Sequence, residues 1–183
     1  FVLAFPILFF FFRGAKDAGR KQAAQAEPAA ELKGVSFAVG LRSSVYLRLF
    51  ITSLLLTFSI VALSIHFVPL LTAKGAAPTS AAAIASLIGL ASIVGRLGTG
   101  VLIDRYQASH VGAIVFLFPA VGALCLIYAG AGGVAPMFAA IFIGLTLGAE
   151  VDVIVYILTR HFGLKSFGAL YGALLTALSI GTA

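Results

Sequence analysis

Charged residues are scarce in this sequence. Asp, Glu, Lys and Arg make up 10% of the 183 residues, whereas a soluble globular domain carries roughly 25%. Hydrophobic residues account for 61% of the chain. The composition therefore argues against an ordinary water-soluble domain and indicates a protein whose main solvent is lipid.

Cysteine and the common catalytic motifs are also missing or nearly so. With Cys125 as the one cysteine, an intrachain disulfide or a cysteine-built metal site is excluded, and we interpret this residue as a small buried hydrophobe. The sequence contains no GxxxxGK[ST], HExxH or GxSxG motif. We therefore expect a protein that is not an enzyme, with no catalytic residue, cofactor or metal site.

Long apolar runs take the place of these motifs. Several approach or exceed the ~20 residues that a helix needs to cross hydrocarbon, so we predict an all-α bundle of transmembrane helices. The predicted spans are the end of a helix at 1–12, then 49–71, 79–103, 111–128, 136–158 and 167–183. Residues 13–48 form a predicted cytoplasmic linker. Because the chain starts at Phe1 and stops at Ala183 inside apolar runs, we interpret it as a fragment.

The placement of the basic residues predicts the orientation. A net charge of +6 would suggest nucleic acid as the partner of a soluble protein, but these charges flank membrane spans. If residues 13–48 are cytoplasmic, every Lys and Arg except Lys74 lies on the cytoplasmic side, as the positive-inside rule requires. We expect the lipid bilayer of the cell (inner or plasma) membrane as the partner, and no nucleic acid.

Pairs of glycines recur at a spacing of four residues. Gly144 and Gly148 form one pair, and Gly168 and Gly172 form another. Such spacing lets membrane helices approach closely. We expect helix contacts at both pairs, and ordinary packing and a sliding interface explain them equally well.

Two carboxylates lie inside the predicted span 136–158. Glu150 and Asp152 are roughly 12 to 15 Å from the inner end at Arg160, at the helical rise per residue, and charged groups at such depth are costly and often functional. Residues two apart on a helix point about 200° away from each other. We therefore expect Asp152 to meet Arg96 or Arg105 at a helix contact, and Glu150 to face a cavity or another helix.

A line of polar residues marks the first complete span. Thr52, Ser59 and His66 follow one another at intervals of seven residues, so they share one helix face. We expect this face to look into the bundle, where it either contacts a substrate or bonds to another helix. His66 by itself is either a helix-packing or interfacial residue or a proton relay, and Tyr156, beside the acidic pair, has the same two interpretations.

The sequence GRLGTGVLIDRY at the end of the second complete span carries a resemblance. Gly100, Leu102, Asp104 and Arg105 reproduce the GxLxDR core of the loop motif of the major facilitator superfamily, and Arg96 resembles the arginine that often precedes it. The match is partial, because the family pattern continues with a glycine and basic residues, which are absent here.

A second stretch of the sequence resembles one subgroup of that superfamily. The pieces RHFG at 160–163 and FGxxYG at 167–172 resemble helix 10 and the start of helix 11 in organic-anion transporters, including the oxalate-formate antiporter and monocarboxylate groups.

The resemblance implies the C-terminal half of a twelve-helix transporter, from the end of helix 6 to helix 11. It implies secondary active transport of a small solute by alternating access, with an organic anion such as a monocarboxylate or dicarboxylate as substrate and protons or a counter-substrate as coupling partner. A drug or neutral-solute transporter is the alternative, followed by a polytopic protein that transports nothing. The candidates for lining the substrate cavity are Thr52, Ser59, His66, Glu150 and Tyr156. The candidates for a gating charge network are Arg96, Gly100, Asp104, Arg105, Asp152 and Arg160.

Overall fold

A computed structural model describes residues 34–128 and 133–182. The predicted helix end at 1–12 and the predicted linker from 13 to 33 lie outside these residues. The remainder of the predicted linker is described and is largely helical. Residues 44–48, which we assigned to the linker, belong to the first long helix.

The described residues form α-helices joined by short connections. The helices are α1 (Phe37–Leu41), α2 (Ser44–Ala73), α3 (Pro78–Arg105), α4 (Ala108–Tyr128), α5 (Ala135–Phe162) and α6 (Phe167–Thr182). The residues at the helix starts explain where these helices begin. The Ser43 side chain caps α2 by accepting a hydrogen bond from Val45 N at 3.3 Å. Helix α3 starts with Pro78, and proline suits this position because an N–H group there would have no partner within the helix. The prediction of an all-α fold is confirmed.

Four of these helices are long and apolar enough to cross a membrane. They are α2, α3, α5 and the segment Ser109–Tyr128 of α4, and α6 is a shorter apolar helix. Leu97 and Tyr128, 69% and 83% exposed, illustrate how much apolar surface these helices turn outward. An apolar exterior of this kind suits lipid, so the chain is an integral, multi-pass membrane protein.

Helix α5 forms the centre of the bundle. It packs most extensively against α3 and α4 and also contacts α2 and α6. A Cβ atom at Gly144 would lie 2.7 Å from Ala91 Cβ, and one at Gly148 would lie 2.8 Å from Arg96 N. The absence of side chains at these two glycines therefore allows α3 and α5 to approach backbone to backbone.

The contact predicted at Gly144 and Gly148 is thus present, but the one predicted at Gly168 and Gly172 is wrong for the described bundle. No described atom lies within 4 Å of a Cβ placed at either of these two glycines. Helix α6 instead packs through its leucines, and Tyr46 Oη of α2 donates a hydrogen bond to Leu170 O at 2.9 Å.

Candidate functional site

A buried polar contact joins α2 to α5. Thr57 Oγ1 donates a hydrogen bond to Glu150 Oε1, and each residue is only 5% exposed. Within the described part of the chain, no Lys, Arg or His lies within ion-pair distance of the Glu150 carboxylate. A buried carboxyl group whose described partner is one neutral hydroxyl is costly to ionise. The Thr57–Glu150 pair is therefore the strongest candidate site.

The side of α2 that faces Glu150 carries further hydroxyl groups. Ser53 is fully buried and its Oγ donates to Leu49 O at 2.8 Å. Ser64 Oγ is buried and has no hydrogen-bond partner among the described residues. Ser53, Thr57 and Ser64 were not predicted as site residues, although their spacing of four and then seven residues places them on one helix face.

Thr52, Ser59 and His66 lie away from the buried face of the described bundle, and Thr52 and Ser59 line a groove between α2 and α4. All three side chains are exposed, because the buried face of α2 lies about one residue further round the helix, on the side of Ser53 and Thr57. Ser59 Oγ donates to Leu55 O of its own helix at 2.7 Å. A role for these three residues in contacting a solute stays a prediction.

A groove opens beside this polar line. It has a volume of about 530 Å³ and lies between α2 and α4, with Thr52 and Ser59 on one wall and Phe116 and Pro119 on the other. Most of its lining is apolar. The two hydroxyl groups are thus placed where a molecule in the groove could reach them.

The two carboxylates of α5 point to different helices, as their spacing predicted. Glu150 reaches Thr57 of α2, whereas Asp152 Oδ2 lies 3.9 Å from Arg96 Nε of α3. Of the two arginines expected near Asp152, the structure thus places Arg96 there and not Arg105. The Arg96 and Asp152 side chains are 62% and 38% exposed, so this ion pair lies at the edge of the α3–α5 contact.

The other charged candidates meet at the end of the bundle where α3 and α5 finish. Asp104, Arg105, Tyr156 and Arg160 line a cavity of about 400 Å³. The Arg160 guanidinium carbon lies 5.7 Å from the centre of the Tyr156 ring, a cation–π distance. The predicted charge network is therefore divided, with the Arg96–Asp152 pair outside this cavity.

The gating role expected of Gly100 stays a prediction. Gly100 lies on α3, and no described atom is within 4 Å of a Cβ placed there, so it is not a close helix contact. No group of three or more His, Cys, Asp or Glu side chains in residues 34–128 and 133–182 is arranged to hold a metal ion.

The described bundle has apolar helices of membrane length packed around the central helix α5, and the Glu150 carboxyl group is buried where α2 meets α5. These features define a polytopic helical membrane protein. The family model described as Major Facilitator Superfamily matches residues 1–183, and the chain belongs to this superfamily. No curated protein matches the chain. Members of the superfamily are transporters rather than enzymes, so the protein is a membrane transporter.

Proposed function

We propose that the protein works by secondary active transport, in which proton binding at Glu150 is coupled to the movement of a small solute. The observation that carries the proposal is the buried Thr57–Glu150 hydrogen bond between α2 and α5. In a membrane transporter, an ionisable group at this depth that lacks a described cationic partner is a candidate for proton exchange.

The coupling follows from the cost of burying charge. A carboxylate is far more expensive to enclose between two apolar helices than a carboxylic acid. Thr57 donates its hydrogen bond to Glu150 Oε1, which leaves Oε2 available to take the proton. A state in which α2 and α5 enclose Glu150 and a state in which water reaches it then bind the proton with different affinities, and the proton biases the exchange between them.

The leading substrate class is an organic anion such as a monocarboxylate or dicarboxylate. Its support is the resemblance of residues 160–163 and 167–172 to organic-anion transporters of the superfamily. The groove beside α2 offers the Thr52 hydroxyl group as a hydrogen-bond donor for such a solute. The Ser59 hydroxyl group already donates to Leu55 O and can act there only as an acceptor. The membrane in which this transport takes place would be the cell membrane.

A neutral or hydrophobic solute is the second candidate, and the walls of the same groove favour it. Besides Thr52 and Ser59, the groove is lined by leucine, alanine, phenylalanine and proline side chains. Apolar walls with a few polar groups are typical of sites for drug-like molecules.

The contact between Arg96 and Asp152 supports a further part of the proposal, namely that this ion pair stabilises the closed arrangement of α3 and α5. It joins α3 to α5 on the side of the close Gly148 contact. Opening of the bundle between these helices would separate the two charges, so the pair would favour the closed arrangement.

Uptake by proteoliposomes that contain the purified full-length protein tests the substrate class. The panel contains radiolabelled monocarboxylates, dicarboxylates and uncharged lipophilic compounds, each offered with and without a pH gradient, and empty liposomes are the control. Saturable uptake of a carboxylate supports the leading candidate. Saturable uptake of uncharged compounds alone replaces it with the second, and no protein-dependent uptake in any arm contradicts both.

A further inference from the structure

Two cavities of opposite chemistry adjoin at the junction of α3 and α4. The charged cavity contains Arg105, Arg160 and His161 and has a volume of about 400 Å³. The second cavity is an apolar groove of about 560 Å³. Tyr106, which follows the last residue of α3, lines both. A ligand that occupies both would need an anionic end and a long apolar end.

The charged cavity has an excess of positive groups. Among the described lining residues, Asp104 is the one carboxylate, against the guanidinium groups of Arg105 and Arg160. No carboxylate in the described part of the chain lies within ion-pair distance of either arginine. His161 Nδ1 is 3.2 Å from Ile157 O, so this nitrogen donates to the carbonyl oxygen and leaves Nε2 for another partner.

The apolar groove exists because α3 and α4 both pack on α5 and barely touch each other. Its walls include Val94, Leu102 and Ile114, and Leu145 of α5 lies among its lining residues. Gly98 widens the groove, since no described atom lies within 4 Å of a Cβ placed there. A cleft between two membrane-spanning helices, open along their length, has the shape that an acyl chain fills.

We propose that these two cavities together bind one anionic phospholipid of the cytoplasmic leaflet. The phosphate lies against Arg105 and Arg160, and an acyl chain runs along the groove past Gly98. Basic pockets between helices on the cytoplasmic side suit anionic headgroups, and the 65% exposed Tyr106 occupies the interfacial level that aromatic rings prefer. The headgroup would thus connect the end of α3 to the end of α5.

Lipid binding to the purified full-length protein tests this proposal. Native mass spectrometry counts the lipids retained after titration with phosphatidylglycerol or with phosphatidylcholine of the same chain length. We expect tighter retention of phosphatidylglycerol. Because a basic residue near a membrane surface contributes about fivefold in affinity, the R105Q/R160Q variant should lose most of that preference, whereas R48Q, which removes a cation outside the cavity, should keep it.

A second pair of variants tests the groove independently of charge. Gly98→Leu adds a side chain to the groove at a position where a Cβ atom meets no neighbouring atom, and Gly89→Leu adds the same side chain at a second such position of α3. We expect weaker phosphatidylglycerol binding for Gly98→Leu and wild-type binding for Gly89→Leu.

Three results would overturn the proposal. One is equal retention of the two lipids by the wild-type protein, and another is an equal effect of each variant and its control. The third is displacement of phosphatidylglycerol by millimolar inorganic phosphate, which would assign the cavity to a free anion.

Discussion

Thr57 and Glu150 meet through a buried hydrogen bond that connects the first long helix of the bundle to its central helix. The two residues are far apart in sequence, so the contact forms only when α2 packs against α5. The bond therefore supports the packing of the bundle and also defines the environment in which Glu150 would exchange a proton.

Replacement of Thr57 by valine should destabilise the protein. The change keeps the shape of the side chain but removes the donor to Glu150 Oε1, and a buried polar group left without its hydrogen bond costs about 1 to 3 kcal/mol. Thermal unfolding in detergent, followed by circular dichroism, measures the loss. Thr57→Ser keeps the hydroxyl group and should recover most of the stability; equal unfolding temperatures for wild type and Thr57→Val would show that the bond contributes nothing.

Gly148→Ala should weaken the contact between α3 and α5. The added methyl group would meet the backbone of Ser92 and Arg96, and a clash with backbone is relieved only by moving a helix, at a cost of about 1 to 3 kcal/mol. Gly172→Ala on α6 is the matched control, because no described atom lies near its added methyl group. Unfolding temperatures of the two variants give the comparison, and a similar effect of both would contradict the close approach.

Lys74 stabilises the end of α4. Its Nζ donates to Leu126 O and, at 2.9 Å, to Ile127 O, and a cation at a helix C-terminus contributes about 0.3 to 1 kcal/mol. Lys74→Met should therefore let this end of α4 open more often and expose Cys125 nearby. Maleimide labelling of Cys125, the one cysteine, measures the opening.

We expect labelling of Lys74→Met to be up to about fivefold faster than that of wild type, the factor that corresponds to 1 kcal/mol. Lys74→Arg retains a cationic donor and should label at nearly the wild-type rate. Identical rates for Lys74→Met and wild type would contradict the capping role.

The contact between Arg96 and Asp152 predicts a charge-reversal result. Arg96→Glu places a second carboxylate beside Asp152, and like charges about 4 Å apart repel each other by about 1 to 4 kcal/mol at the dielectric of a wet or partly buried site. Initial uptake rates should fall about fivefold or more in R96E and recover in the double variant R96E/D152R. A double variant no better than R96E would show that the proximity of the two charges has no role in the transport cycle.

The all-α membrane fold was accessible from the sequence, whereas the partner of Glu150 was not. Membrane helices need long apolar runs, and such runs are directly visible in the amino-acid sequence. The opposite directions of Glu150 and Asp152 follow from helical periodicity alone. The same periodicity did not reveal Thr57, because α2 is apolar on nearly every side and its lipid-facing and buried faces look alike.

For the same reason, periodicity did not show that Thr52, Ser59 and His66 are exposed in the described bundle. In a soluble helix, the apolar stripe shows which side is buried, but in lipid the buried side is set by small residues and hydrogen bonds between helices. Ser53 and Thr57 carry that information on α2. These two residues identify the buried face of α2 only once Glu150, the residue that faces them on α5, is known.

The most direct test of the account compares wild type with Glu150→Gln in proteoliposomes, using a solute that the wild-type protein transports. Initial uptake is measured with and without an inward proton gradient. Glutamine keeps the size of the side chain and an oxygen that accepts from Thr57, but it cannot exchange a proton. The gradient should accelerate uptake by wild type and not by Glu150→Gln; gradient-driven acceleration of equal size in both would contradict proton exchange at Glu150.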